Sequence, residues 1–185
     1  VYSAPIAVNG TAIIRARAEK VGARPSDIDT QTYIFLRDVL KQSTNGVAPS
    51  GWPTLPVNGQ VFDYGFDPDV IARSPGNATI SNDLRSLPTI SLVMNLPDLV
   101  DPVTGIYVNA YEGGRDWERP VSVELLRPAD AEDGFQIDAG IRIRGNFSRT
   151  SGNPKHSFHI VCRDDYGAAR LRYPLFGDGG ALEFE

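Results

Sequence analysis

"IRIRGNFSRTSGNPKHSFHI", residues 141–160, sets two alternating runs on either side of a loop rich in Gly, Ser and Asn. Alternation marks a strand, in which successive side chains point to opposite faces, so Ile141 and Ile143 share one face and Arg142 and Arg144 the other. After the loop, Phe158 and Ile160 point inward, while Lys155, Ser157 and His159 point the opposite way. Paired as a hairpin, the two runs predict a cationic face of Arg142, Arg144 and Lys155 bordering the loop 145–154, a candidate anion site. The structural alternative is a solvated face: exposed strands carry Lys and Arg to discourage edge-to-edge pairing, and Arg142 has Asp138 nearby as a partner.

The rest of the chain limits what such a site belongs to. With 185 residues and 41% hydrophobic content, it can bury a substantial core in one or two domains. Eighteen Lys+Arg against 23 Asp+Glu give a formal charge of −5, which argues against a general binder of nucleic acid or anionic membrane. No apolar run approaches the roughly 20 residues of a membrane-spanning helix. The single cysteine, Cys162, cannot form an internal disulfide or a zinc site and reads as a core thiol within "FHIVC".

Three zones follow one another. Residues 1–36 read as short strands, "TAIIRARA" and "TQTYIFL", separated by turn residues. Residues 37–85 read as a connector in which "RDVLKQ" makes a helical turn or two and "DPDVIARS" one short helix, with Asp67 as N-cap and Pro68 at the first helical position. From Leu87 the strand signals return in "TISLVMN", "GIYVNAY", "RPVSVELLRP", "GFQIDAGIRIRG" and "KHSFHIVCR", each bounded by Gly, Pro, Asn or Asp. The fold class expected is therefore mainly β (α+β), with residues 87–176 in one antiparallel sheet. Two strands cannot bury a sandwich of their own, since isolated domains below ~40 residues usually need disulfides or metals. Residues 1–36 thus look like the truncated end of an accessory domain, and the chain like an interior segment of a longer protein.

Other residues read as structural. His156 and His159 lie on opposite strand faces and cannot reach one metal from a regular strand. The carboxylates of "DPDV" and "DPVTG" lack the alternating oxygen ligands and distal Glu of a calcium loop, which leaves Asp67 a helix cap and Asp101 a turn residue. Trp117 reads as a ring packed over a strand and covered by Arg119. Glu118 and Glu124 are candidates for an acid that orients a lysine, Glu124 lying opposite the side of Val121 and Val123. The sequons at Asn9, Asn77 and Asn146 carry little weight.

"LPTISLVMNLPDLVDPVTGIYVNAYEGGRDWERPVSVELL" followed by "GFQIDAGIRIRGNFSRTSGNPKHSFHIVCRDDYGAARLRYPLFGD" resembles the amino-terminal part of the spore-coat-protein-H (CotH) kinase-like family of secreted or surface bacterial proteins, from about Leu87 to Asp178. "PIAVNGTAIIRARAEKVGARPSDIDTQTYIF" is similar to the closing strands of the chitobiase/β-hexosaminidase carboxy-terminal type of β-sandwich. The resemblance implies residues 1–36 as the end of that sandwich, 37–85 as connector, and 86–185 as the first part of a diverged kinase whose β-rich lobe binds ATP with Mg²⁺ and whose parent phosphorylates a protein substrate. The family's arginine-glycine pattern falls on Arg144 and Gly145, and its proline-lysine pattern on Pro154 and Lys155. Gly145, Asn146 and Ser148 then stand in a phosphate-covering loop, and Lys155 where a strand lysine meets the α- and β-phosphates. The spacing matches neither the kinase glycine loop nor a Walker A motif. The family's metal-binding aspartates fall after Glu185, so no catalytic residue and no metal ligand is assigned, and this chain alone is expected not to transfer phosphate. The alternative is a non-catalytic surface or adhesion module that binds a protein or glycan partner.

Overall fold

A computed structural model describes residues 3–74, 78–127, 134–153, 155–177 and 179–185, which leaves Asn77, Pro154 and Asp178 outside the described residues. Its centre is a four-stranded antiparallel sheet in the order β3 (Thr89–Val93), β4 (Arg119–Leu126), β5 (Phe135–Arg144), β6 (Ser157–Val161). The fold is mainly β with short helices. Before the sheet come β1 (Ala12–Ala16), β2 (Asp29–Tyr33), α1 (Leu36–Val39), α2 (Pro68–Arg73) and α3 (Ala78–Ser86). A short α4 (Leu96–Val100) follows β3, and β7 (Leu171–Arg172) pairs with β8 (Glu183–Phe184). Among the described residues, no helix is long and apolar enough to cross a membrane.

The alternation in β5 sets the sheet's register. Ile141 lies opposite Ile160, Arg142 opposite His159, Ile143 opposite Phe158 and Arg144 opposite Ser157. Ile141 and Ile143 are buried, and with Val121, Val123, Ile137 and Ala139 they form the first face of the core. Burying each isoleucine side chain contributes about 1.5 to 3 kcal/mol, enough to hold the register against a one-residue slip that would exchange the two faces. Cys162 is buried at the margin of this cluster, and burial pushes its thiol pKa up.

The second face carries the polar half of the alternation, and half of it is covered. The β1–β2 hairpin lies across β3, β4 and the start of β5, with Thr30 fully buried beneath it. Glu124, only 3% exposed, accepts from the Thr32 backbone N–H at 3.0 Å and from the Thr32 hydroxyl. The Thr32 and Ser91 hydroxyls meet at 2.8 Å, and the Ile28 N–H donates to Asp138 at 3.3 Å. Removing Glu124 leaves the half-buried Thr32 N–H without its acceptor and the Thr32 hydroxyl with Ser91 alone. Glu124→Ala is therefore expected to destabilise the fold by about 1.5 to 3 kcal/mol in a urea titration and to speed amide exchange at Thr32.

Several expectations need correcting. The four-stranded sheet ends at Val161, and β7 pairs with β8 instead of joining it. "GIYVNAY" makes no strand. Its residues coil over the core face, where the Ile106 and Tyr107 N–H groups donate to Asp98 and Leu99 carbonyls of α4 and the Asn109 side chain donates to the Gly105 carbonyl. The apolar alternation there comes from covering a core, with Ile106, Val108 and Ala110 all buried. The connector holds two helices after α1: Asp67 caps α2 as expected, accepting from the Asp69 N–H at 2.8 Å, and α3 buries Ile80. Asp101 is the turn residue expected, its carboxylate accepting from the Val103 and Thr104 N–H groups, which hold its pKa below the usual value. Arg119 covers the Trp117 ring at 5.5 Å.

Candidate anion site

Where the hairpin stops, the second face of the sheet is open. Arg142 is half-buried there and Arg144 exposed, while Ile143 between them anchors β5 in the core. Together with Gly114, Arg149 and His159, these residues wall a shallow depression of about 380 Å³ that has no carboxylate in its lining. Neither Arg142 nor Arg144 has an ion-pair partner among the described residues. Arg142 does not reach Asp138, which instead accepts from Gln136 and Ile28 of the covered half. It approaches His159, with Nη2 at 3.4 Å from Nδ1. With the guanidinium donating, Nδ1 keeps its lone pair and the ring proton sits on Nε2.

His159 is held below its ordinary pKa, first by burial and then by the charges of Arg142 and Arg144, with Arg163 adding to them and Glu118 opposing. It is thus neutral at pH 7. Glu118 is no partner for a lysine: its buried carboxylate accepts from Arg163 Nε at 3.0 Å, close to Gly140, where a Cβ would stand 2.7 Å from Glu118 Oε1. Glu124, the other candidate for that role, is committed to Thr32.

The loop after β5 is tightly built. Gly145 has φ of 104°, and a Cβ there would overlap the Ser148 hydroxyl, so the turn itself requires glycine. Ser148 donates to the Arg144 carbonyl at 3.2 Å, and its own carbonyl receives His156 Nδ1 at 2.6 Å. The His156 ring lies against Tyr107, with centroids 4.6 Å apart. Residues Phe147–Arg149 form a 3₁₀ turn that leaves Phe147 82% exposed at the tip and Asn146 exposed beside it.

Arg149 closes the loop from inside. Its Nε donates to the Gly145 carbonyl at 2.6 Å, Nη2 to Ile143 at 3.0 Å, and Nη1 to the carbonyls of Ala110, Tyr111 and Glu112 at 2.8 to 3.2 Å. Nothing in its neighbours separates this arginine from a surface residue, because the carbonyls it meets come from a segment almost forty residues earlier.

The structure therefore gathers Arg144, Gly145 and Ser148 but not Lys155. β6 begins at Ser157, so Lys155 sits in the connection before it, exposed, with its backbone N–H donating to Asn153 at 3.3 Å. It does not line the depression. The expected cationic trio of Arg142, Arg144 and Lys155 is replaced by Arg142, Arg144 and Arg149, joined by His159, since the chain turns at Gly145, the ladder closes at the Arg144–Ser157 pair, and Lys155 lies outside it. Of these, Arg142 and Arg144 keep guanidinium donors for phosphate oxygens, whereas Arg149 spends its donors on carbonyls. Among the described residues no group of three or more His, Cys, Asp or Glu is placed to hold a metal ion. Set against protein-family models, curated proteins and solved structures, the chain matches none.

Proposed function

We propose that this chain is an ATP-binding lobe of a CotH-like kinase of the secreted or surface kind, which contacts the polyphosphate through Arg144 and the loop 145–155. The observation that carries the reading is the pair Arg142 and Arg144 on one open sheet face, with no carboxylate partner among the described residues, at the mouth of a glycine-started loop. Arg144 offers two parallel donors to phosphate oxygens, and the exposed Lys155, on a flexible stem at the loop's far end, adds a point charge. Phe147 supplies an exposed aromatic face on the same loop, of the kind on which a base stacks. Ser148 contributes its backbone only, because its hydroxyl is committed to Arg144.

Titrating ATP into the chain, with and without Mg²⁺, tests this. Lys155→Ala is expected to weaken ATP binding by about 1.5 to 3 kcal/mol and Lys155→Arg to restore part of it, whereas Lys41→Ala in the connector leaves it unchanged. Equal affinity for wild type, Lys155→Ala and Arg144→Gln, all folded, would return the stretch to a solvated strand face on a non-catalytic module.

A further inference from the structure

We infer that the depression between Arg142, Arg144 and His159 is a proton-linked phosphate site, which takes one phosphoryl dianion and recruits the His159 imidazolium as a further cation. The inference takes from the reading above only that this arginine pair meets phosphate; it needs no nucleotide, no Lys155 and no magnesium.

The geometry that carries it is the contact of Arg142 Nη2 with His159 Nδ1 at 3.4 Å. With neutral His159 the guanidinium donates to a lone pair. Once Nδ1 is protonated, two donors stand side by side at that spacing, and an acceptor oxygen above the pair, on the open side of the depression, takes a hydrogen bond from each. Arg144, two residues along the same face, supplies donors from the side, and the wall at Gly114 carries no Cβ that would crowd an entering group. Arg149 lends charge to the rim, but its donors are spent on carbonyls, so it shapes the depression without competing for the ligand.

Proton linkage follows from what surrounds His159. The charged groups that act on it are Arg142 and Arg144 of β5, Arg163 just after β6, and Glu118 just before β4; burial and the three arginines outweigh the glutamate and keep the imidazole neutral in the empty site. A dianion reverses the sign of the field at the ring and favours its protonated form. Binding then takes up a proton, and affinity rises as pH falls. Free phosphate monoesters gain a proton near pH ~6 and blur this trend, whereas sulfate, of the same shape, stays a dianion throughout and isolates the histidine.

Sulfate and inorganic phosphate are titrated at low ionic strength into the 185-residue chain at pH about 8 and about 5.5, by calorimetry and by NMR of the two histidine rings. Sulfate is expected to bind about tenfold tighter at the lower pH, with the His159 resonance titrating higher in its presence and His156 unmoved. His159→Gln should flatten the pH dependence of sulfate binding to less than about twofold between the two pH values, and Arg142→Gln should lower affinity about tenfold or more at both. If His159→Gln does not fold, the wild-type His159 resonance with and without sulfate decides alone. No binding of either ion, or a pH dependence of sulfate binding that persists in His159→Gln, overturns the site. ATP that binds where sulfate and phosphate do not also overturns it and keeps the nucleotide reading. Sulfate binding with the stated pH slope in a chain that ignores ATP keeps this site and discards the nucleotide.

Discussion

Ile141→Ala is expected to destabilise the fold by about 2 to 5 kcal/mol, the range for emptying a fully buried isoleucine site. Ile141 has no exposed surface and lies mid-sheet, paired with Arg119 of β4 on one side and Ile160 of β6 on the other. Neighbours on both sides are tied into the ladder, which limits how far the site can collapse, so the cavity term adds to the lost transfer energy. Ile13→Ala in β1 makes the contrast. That side chain is 52% exposed, and its loss is expected to cost well under 1 kcal/mol. Urea unfolding of the two variants checks the pair. Similar losses for both would mean that the first face of the sheet is not the core.

Arg149→Met is expected to cost about 1.5 to 3 kcal/mol and, more tellingly, to loosen two segments at once. Methionine keeps much of the apolar stem but strips hydrogen bonds from the carbonyls of Ala110, Tyr111, Glu112, Ile143 and Gly145. Hydrogen exchange should therefore rise at Asn109 and Glu112, whose N–H groups bond within the covering segment, and at Arg149 and Thr150, whose N–H groups close the 3₁₀ turn. Arg149→Lys should recover little, because an ammonium presents its donors at a point and cannot span carbonyls arrayed around a planar fork. Sulfate affinity should fall alongside, since the wall of the depression moves. Unchanged exchange in the covering segment would refute the role of this side chain as the pin between the two.

Period-two alternation from 119 to 161 was enough to assign faces, because a strand can point a side chain only one of two ways. Ile141 and Ile143 went to one side and Arg142 and Arg144 to the other with no tertiary information, and the observed register agrees. The turn chemistry of Asp101 and the cap at Asp67 were equally local, each a carboxylate bonding N–H groups two or three residues on. Burial that comes from covering, as opposed to pairing, was misread: "GIYVNAY" alternates because every other residue meets the core. Lys155 was misplaced for a related reason. The ladder closes at the Arg144–Ser157 pair, so no partner strand fixes the side to which the lysine points.

What covers each face was never in the alternation. Glu124 and Arg142 lie on the same side of the same sheet, yet Glu124 is sealed beneath the β1–β2 hairpin and Arg142 opens onto the depression. Period two reports that two faces exist and which residues share them. Whether a polar face is a buried hydrogen-bonded seam or an open cationic site depends on a segment some ninety residues away that happens to lie across it, and only the tertiary structure decides that.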